Sequence, residues 1–154
     1  KAFGKATLSD VYGSDNLQKG LNYKARNFGT TYFENMGDGT FKARPLCNMA
    51  QISSVNSIIV EDINNDGHQD LVLAGNLYGS EAETPRNDAS IGLFLEGDGK
   101  GNFIPVPAYQ SGLFIDGDVR MLNLIHLVKK KSHGIIAAKN NSSVQVIGIK
   151  DTNQ

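Results

Sequence analysis

The stretch VEDINNDGHQDLVLAGN, Val60 to Asn76, decides the reading of this chain. Side-chain oxygens recur at Asp62, Asn64 and Asp66 and, after Gly67 and His68, at Asp70. An apolar run, Leu71-Val72-Leu73-Ala74, follows at once. A tight polar loop that feeds straight into a short apolar run is the signature of a hairpin inside a β fold.

The same loop is a candidate cation site. Alternate residues of a curled loop point inward, so Asp62, Asn64, Asp66 and Asp70 can converge, and His68 can add its backbone carbonyl. Gly67 permits the sharp turn. Flexible, all-oxygen coordination suits calcium, whereas magnesium demands a stricter octahedron. An EF-hand would need a bidentate Glu where Leu73 stands and a helix where a strand begins, and the same test argues against a dockerin. Zinc would need His or Cys partners near His68, and there are none nearby in sequence. An Asn-Asp-Gly turn without an ion is the plain alternative.

Working outward, the chain repeats itself. YFENMGDGTFKARP from Tyr32 aligns without gaps on FLEGDGKGNFIPVP from Phe94, so that Phe41 meets Phe103 at a spacing of 62 residues. Glu34 then meets Glu96, Gly37 meets Gly99, Gly39 meets Gly101 and Pro45 meets Pro107. At the same spacing Val60 meets Leu122, and LVLAGN from Leu71 meets IIAAKN from Ile135 after two inserted residues. The second copy has no aspartate between Leu122 and Asn140, and lysines fill its turn, so one cation loop is expected rather than two. Asp116 and Asp118 in FIDGDVR read first as a turn and only secondarily as a metal site. The Gly-Asp-Gly segments read as tight turns without metal, with Phe41 and Phe103 each plugging its own sheet.

The β-rich runs SIIVEDI, DLVLAGNL, IGLFLEG, VRMLNLIHLV, GIIAAK and SVQVIGI have strand length and are separated by Gly, Asn and Asp. The expected fold is mainly β, with antiparallel, propeller-blade-like repeats, two to three blades, and one short N-terminal helix. The helix is expected in SDNLQKGLNYKARN, where Ser14 or Asp15 caps and Leu17, Leu21 and Ala25 share a face. Residues 1–30 form an N-terminal segment, and 31–92 and 93–154 form two repeat units. Residues 76–90 lack periodicity and hold Tyr78, Glu81, Glu83, Arg86 and Asp88, a long loop that reads equally as a functional loop or as a merely exposed connection.

Charged residues make up 20% and net charge is −1, which gives no general attraction to nucleic acid or to an anionic membrane. Lys129-Lys130-Lys131 reads as a solvated turn. No apolar run is long enough to span a bilayer, so no membrane insertion is expected. Cys47 is the one cysteine, so an internal disulfide is excluded, and it reads as a packed thiol. His126, in an apolar strand, reads as core packing and His133 as part of a turn. The chain opens on Lys1 with neither an initiator Met nor a signal peptide, as expected of a piece of a longer or processed protein.

VEDINNDGHQDLVLAGN followed by GLFLEGDGKGNF resembles the FG-GAP/VCBS repeats of bacterial surface and secreted proteins. The similarity is to the branch that carries the ASPIC/UnbV module and is related to cartilage acidic protein. It covers roughly Thr31 to Ile149 and is strongest from Ile58 to Phe103. The resemblance implies blades like those of the integrin α-subunit propeller and a calcium loop with ligands Asp62, Asn64, Asp66, the His68 carbonyl and Asp70. It implies a secreted or cell-surface setting, and it implies a fragment, since such propellers close with about seven blades. The function it implies is a non-enzymatic, calcium-stabilised binding, adhesion or scaffold module with a glycan or protein ligand. The runner-up is part of an extracellular carbohydrate-active lyase or hydrolase, with Glu81, Glu83, Arg86 and Asp88 lining its cleft. The strand from Ser143 to Lys150 reads as the start of a third blade, and its edge invites self-association.

Overall fold

The structure, a computed structural model, describes residues 3–127 and 132–150. Among them the fold is mainly β, in three antiparallel sheets, none of them closed. Strands β1 (Thr31–Asn35) and β2 (Phe41–Pro45) form a lone hairpin. Strands β3 (Val55–Glu61), β4 (Asp70–Gly75), β5 (Leu93–Gly97) and β6 (Phe103–Val106) form a four-stranded meander. Strands β7 (Val119–Leu127), β8 (Ser132–Lys139) and β9 (Gln145–Gly148) form the third sheet. The lysine turn at 129–131 lies outside the described residues.

β4 is buried along its whole length, because its two faces serve two cores. Val72 and Ala74 join Ile59 against Leu122, Ile135 and Ala137 of the third sheet. Leu71 and Leu73 turn the other way, to Leu95, Ala50 and the partly buried Leu46, Cys47 and Phe103. The alternation of a strand allows this only when both faces are covered, which is why the run reads as continuously apolar. The second and third sheets are also stitched by polar bonds. Asn56 Nδ2 donates to the Val119 carbonyl at 2.8 Å, and the Leu122 N–H donates to Ser57 Oγ at 2.9 Å.

The repeat is visible in three dimensions. β1 and β2 recur as β5 and β6 at the expected spacing, and each hairpin is followed by one helical turn, Asn48–Gln51 after the first and Ala108–Ser111 after the second. From there the spacing lengthens to 64 residues: Val55 pairs with Gly75 as Val119 pairs with Lys139, and both ladders bulge at the next residue, Asn56 and Arg120. The two inserted residues therefore lie before β7, and Val60 corresponds to Leu124 rather than to Leu122. Pairing registers reveal this, whereas apolar side chains alone align almost as well either way.

Five other expectations need correction. The N-terminal helix is two short helices, Leu8–Tyr12 and Ser14–Lys19, and the second stops at Gly20, which takes an extended backbone. Neither buries a residue, and Leu21 is 88% exposed, so nothing supports a longer helix across the glycine. Phe41 does not plug its sheet but is 64% exposed, because a two-stranded hairpin has no further strand to lay over it. His126 is not core and His133 is not in a turn: His126 is exposed on β7 opposite His133, which lies near the start of β8 where the ladder continues, with the rings edge to face at 5.4 Å. Finally, β9 begins no new blade; it is the third strand of the last sheet, paired with β8.

Candidate metal loop

The loop between β3 and β4 curls at Asn65 (φ 61°) and Gly67 (φ 88°), left-handed positions that Asn and Gly tolerate best. The curl turns backbone N–H groups inward, and the carboxylates accept them. Asp62 Oδ1 takes the Asp66 N–H at 3.0 Å and Oδ2 takes the Gly67 N–H at 2.9 Å. Asn64 Oδ1 accepts from the Asp66 N–H at 3.0 Å, and Asp66 Oδ1 accepts from the His68 N–H at 2.8 Å. The Asn64 amide donates to Asp66 Oδ2 at 3.0 Å. The His68 N–H first, then the Asn64 amide, hold the Asp66 carboxyl below the usual carboxylate range.

Asp70 also has a structural task. It is fully buried, with Oδ2 accepting from the Ile63 N–H at 3.0 Å and Oδ1 from the Gly97 N–H at 2.9 Å. One carboxylate thus anchors the loop to the start of β4 and to the end of β5. A buried charge satisfied by two backbone donors is a structural tie. Sequence reasoning missed Glu96, whose Oε1 takes the Asn64 amide at 2.7 Å. Its recurrence at Glu34 in the repeat was the available signal, but in the first hairpin that position pairs with Arg44 at 2.7 Å instead.

His68 sits against the following turn. A Cβ on Gly99 would come within 2.7 Å of the imidazole, so that glycine is what lets the ring lie there. Between the two turns runs an open cleft of about 460 Å³, lined by Tyr32, His68, Asp98, Lys100 and Phe103 among others. The Asn102 amide, then the Lys100 and Asn102 N–H groups, push the Asp98 carboxyl down to about 2.

The donor set is hard oxygen throughout, which is calcium chemistry. The arrangement fits that ion only in part. The oxygens of Asp62 and Asp70 all take backbone donors, and among the described residues no three His, Cys, Asp or Glu side chains gather as a metal-holding group. In this geometry the loop is held by its own hydrogen bonds.

The other candidates are dispersed. Glu81, Glu83, Arg86 and Asp88 are exposed. Arg86 Nε bonds Asp88 at 2.8 Å while its guanidinium lies 4.6 Å from the Tyr78 ring centre, and a bridge between Leu77 and Asn87 closes the loop that holds them. Asp116 bonds Lys139 Nζ at 2.7 Å. Asp118 is buried, with Oδ2 bonded to Arg120 at 2.8 Å and to the Asn140 amide at 3.2 Å. Its Oδ1 has no protein partner. No helix among the described residues is long and apolar enough to cross a membrane. No family model, no curated protein and no solved structure matches the chain.

Proposed function

We propose that the chain is a non-enzymatic β-repeat module of the propeller type, serving a secreted or cell-surface protein as a binding, adhesion or scaffold element for a protein or glycan ligand. The carrying observation is the repeat itself: hairpin, helical turn and two bulged strands recur, and successive sheets pack face to face through their leading strands β3 and β7. Radial repetition of small sheets is how propellers are built, and such scaffolds expose loops at the ends of their strands for recognition. The FG-GAP/VCBS resemblance of the two halves agrees with this reading.

Calcium enters the proposal as a stabiliser of residues 62–70. Binding would require the Asn64 amide to leave Asp66, so that Asp62, Asn64, Asp66, the His68 carbonyl and Asp70 face one ion, Asp62 and Asp70 through lone pairs that their backbone donors leave open. At 100-fold excess over Kd, filling the site adds about 2.7 kcal/mol. Melting curves in calcium and in EDTA test this, and Asp66→Ala should abolish the difference; superimposable wild-type curves would remove calcium from the proposal. A glycan and protein array, probed with calcium present, tests the binding role. Turnover of a polysaccharide that is lost in Glu81→Gln or Glu83→Gln would move the chain to the carbohydrate-active class instead.

A further inference from the structure

The rims of the second and third sheets are matched places that are closed in different ways. At each, the residue after the second strand bonds the residue before the first: the Asn76 N–H donates to the Ser54 carbonyl and the Asn140 N–H to the Asp118 carbonyl, both at 2.8 Å. At the first rim the long connection 77–92 folds back as a cover. The buried Asn76 donates its amide to the Ser90 and Gly117 carbonyls at 2.8 and 3.0 Å, and its Oδ1 accepts from Ser53 Oγ at 2.6 Å and from the Ser90 N–H at 3.0 Å. Ser54 Oγ accepts the Asn87 amide at 3.5 Å. At the second rim only residues 141–144 separate Asn140 from β9, and Asp118 stands at the place of Ser54. Asp118 is 1% exposed; its Oδ2 is bonded to Arg120 and Asn140, while its Oδ1 meets no donor among the described residues. The cover missing here is a long loop within the unit, not a neighbouring sheet.

The short loop leaves a cleft of about 480 Å³, walled by Asp118, Tyr78, Lys139, Asn140, Asn141 and Ser142. Its charges are already paired, Lys139 with Asp116 and Arg120 with Asp118, so a cation would meet two bases and an anion two acids. What the site lacks is one neutral donor for a buried oxygen, and a buried acceptor left unmet is costly. A hydroxyl is slender enough to reach an oxygen closed off from bulk water when the 141–144 turn gives slightly, and it can accept in return from the Asn141 amide or the Ser142 hydroxyl. Tyr78, steadied by the Arg86 guanidinium and partly exposed, offers a ring on which the C–H side of a sugar can rest. A peptide finds no apolar pocket here for an anchoring side chain. We propose that this cleft binds a neutral sugar, with one hydroxyl donating to Asp118 Oδ1 and the sugar ring lying against Tyr78. This rests on the binding-module reading above and gives it a ligand class and a place.

The test is an amide NMR titration of the full chain with the methyl glycosides of glucose, galactose, mannose and N-acetylglucosamine, at concentrations on the order of tens of millimolar to reach weak affinities. At least one should shift the Tyr78, Asp118 and Asn141 amides together and saturably. Asp118→Asn should weaken that binding about tenfold or more, and Tyr78→Ala, on an exposed loop, by up to about tenfold. Asn141→Gly keeps the left-handed turn at φ 52° while removing the amide, and should weaken it by a smaller factor. If Asp118→Asn does not keep the wild-type spectrum, Tyr78→Ala and Asn141→Gly decide alone. The proposal is overturned if no glycoside moves these amides, if the folded variants bind like wild type, or if the shifts gather elsewhere on the chain. Shifts elsewhere, or a protein ligand alone on the array, leave the binding-module reading standing without this site. Silence in both the titration and the array removes that reading as well.

Discussion

Hairpins β1–β2 and β5–β6 are two copies of one design. In both, a residue before the turn donates its cross-turn bond at matched positions, the Met36 N–H to the Thr40 carbonyl and the Asp98 N–H to that of Asn102, at 3.1 and 3.2 Å. Both turns use two left-handed glycines, Gly37 and Gly39 in one and Gly99 and Gly101 in the other. Their surroundings differ. β5–β6 is the outer half of a four-stranded sheet, tied by Asp70 to the acidic loop and packed through Phe103 against Tyr32, edge to face at 5.6 Å. β1–β2 pairs with no third strand and meets the second sheet through that same Tyr32, and Asn35, at the place of Gly97, accepts from the Gly37 N–H of its own turn at 2.9 Å. The same local code thus makes a load-carrying hairpin in one place and an accessory one in the other. Turn chemistry sets the shape of a hairpin, and the neighbouring strands set its worth.

The sharpest way to break this comparison is Asp70→Ala. It strands the partly buried Ile63 N–H and the buried Gly97 N–H, and an unfolding titration should lose about 3 kcal/mol. Asp70→Asn keeps an acceptor and should lose less. If Asp70→Ala is neutral, the tie does not distinguish the hairpins. A smaller effect separates the two aromatic positions. Phe103→Ala removes a packed ring and should cost about 2 kcal/mol, against less than about 0.5 kcal/mol for Phe41→Ala. Equal losses would mean that the first hairpin is covered in solution by something else.

The smallest difference is in acid. Both turn aspartates titrate below the ordinary 3.8, Asp98 at about 2 and Asp38 lowered by the Thr40 hydroxyl and N–H. A carboxyl whose folded pKa is depressed stabilises above its unfolded value, and the contribution disappears as pH falls through the folded one. Asp98 should therefore support the fold above about pH 4 and lose that support down to about 2. Carbon-detected titration of the carboxyl groups checks the order, with Asp98 the lower, and Asp98→Asn should flatten this part of the acid limb. A higher midpoint for Asp98 than for Asp38 would reverse the comparison.

The strand runs, the hairpins and the buried character of Leu71 to Ala74 were legible in the sequence, because period and turn residues are local. The left-handed turn at Gly67 was legible for the same reason. The task of Asp70 was not: its second partner, Gly97, is far along the chain, and nothing in the loop announces it. Glu96 was hidden likewise, being read as part of a repeat rather than as a neighbour of Asn64. Leu17 and Leu21 show the opposite failure. Their spacing is helical, but no surface of the fold receives them, and periodicity without a partner does not extend a helix. His126 was misread because a strand with one exposed face can carry apolar residues on either side of a polar one.

The four-stranded sheet takes β3 and β4 from the first repeat unit and β5 and β6 from the second. The period of the text and the period of the folding unit are therefore out of phase by half a unit. A cut at residue 92 or 93, where the words divide, would saw a sheet lengthwise and bare the flank of β4. A cut in the connections at 46–54 or 107–118 would pass between sheets. Duplicating one textual unit in this arrangement adds no half-sheet: each new copy hands its last two strands to the next and receives two from the one before. The chain is joined like overlapping roof tiles, and its natural modules for grafting or recombination are the sheets at 55–106 and 119–148 rather than the repeats that reveal them.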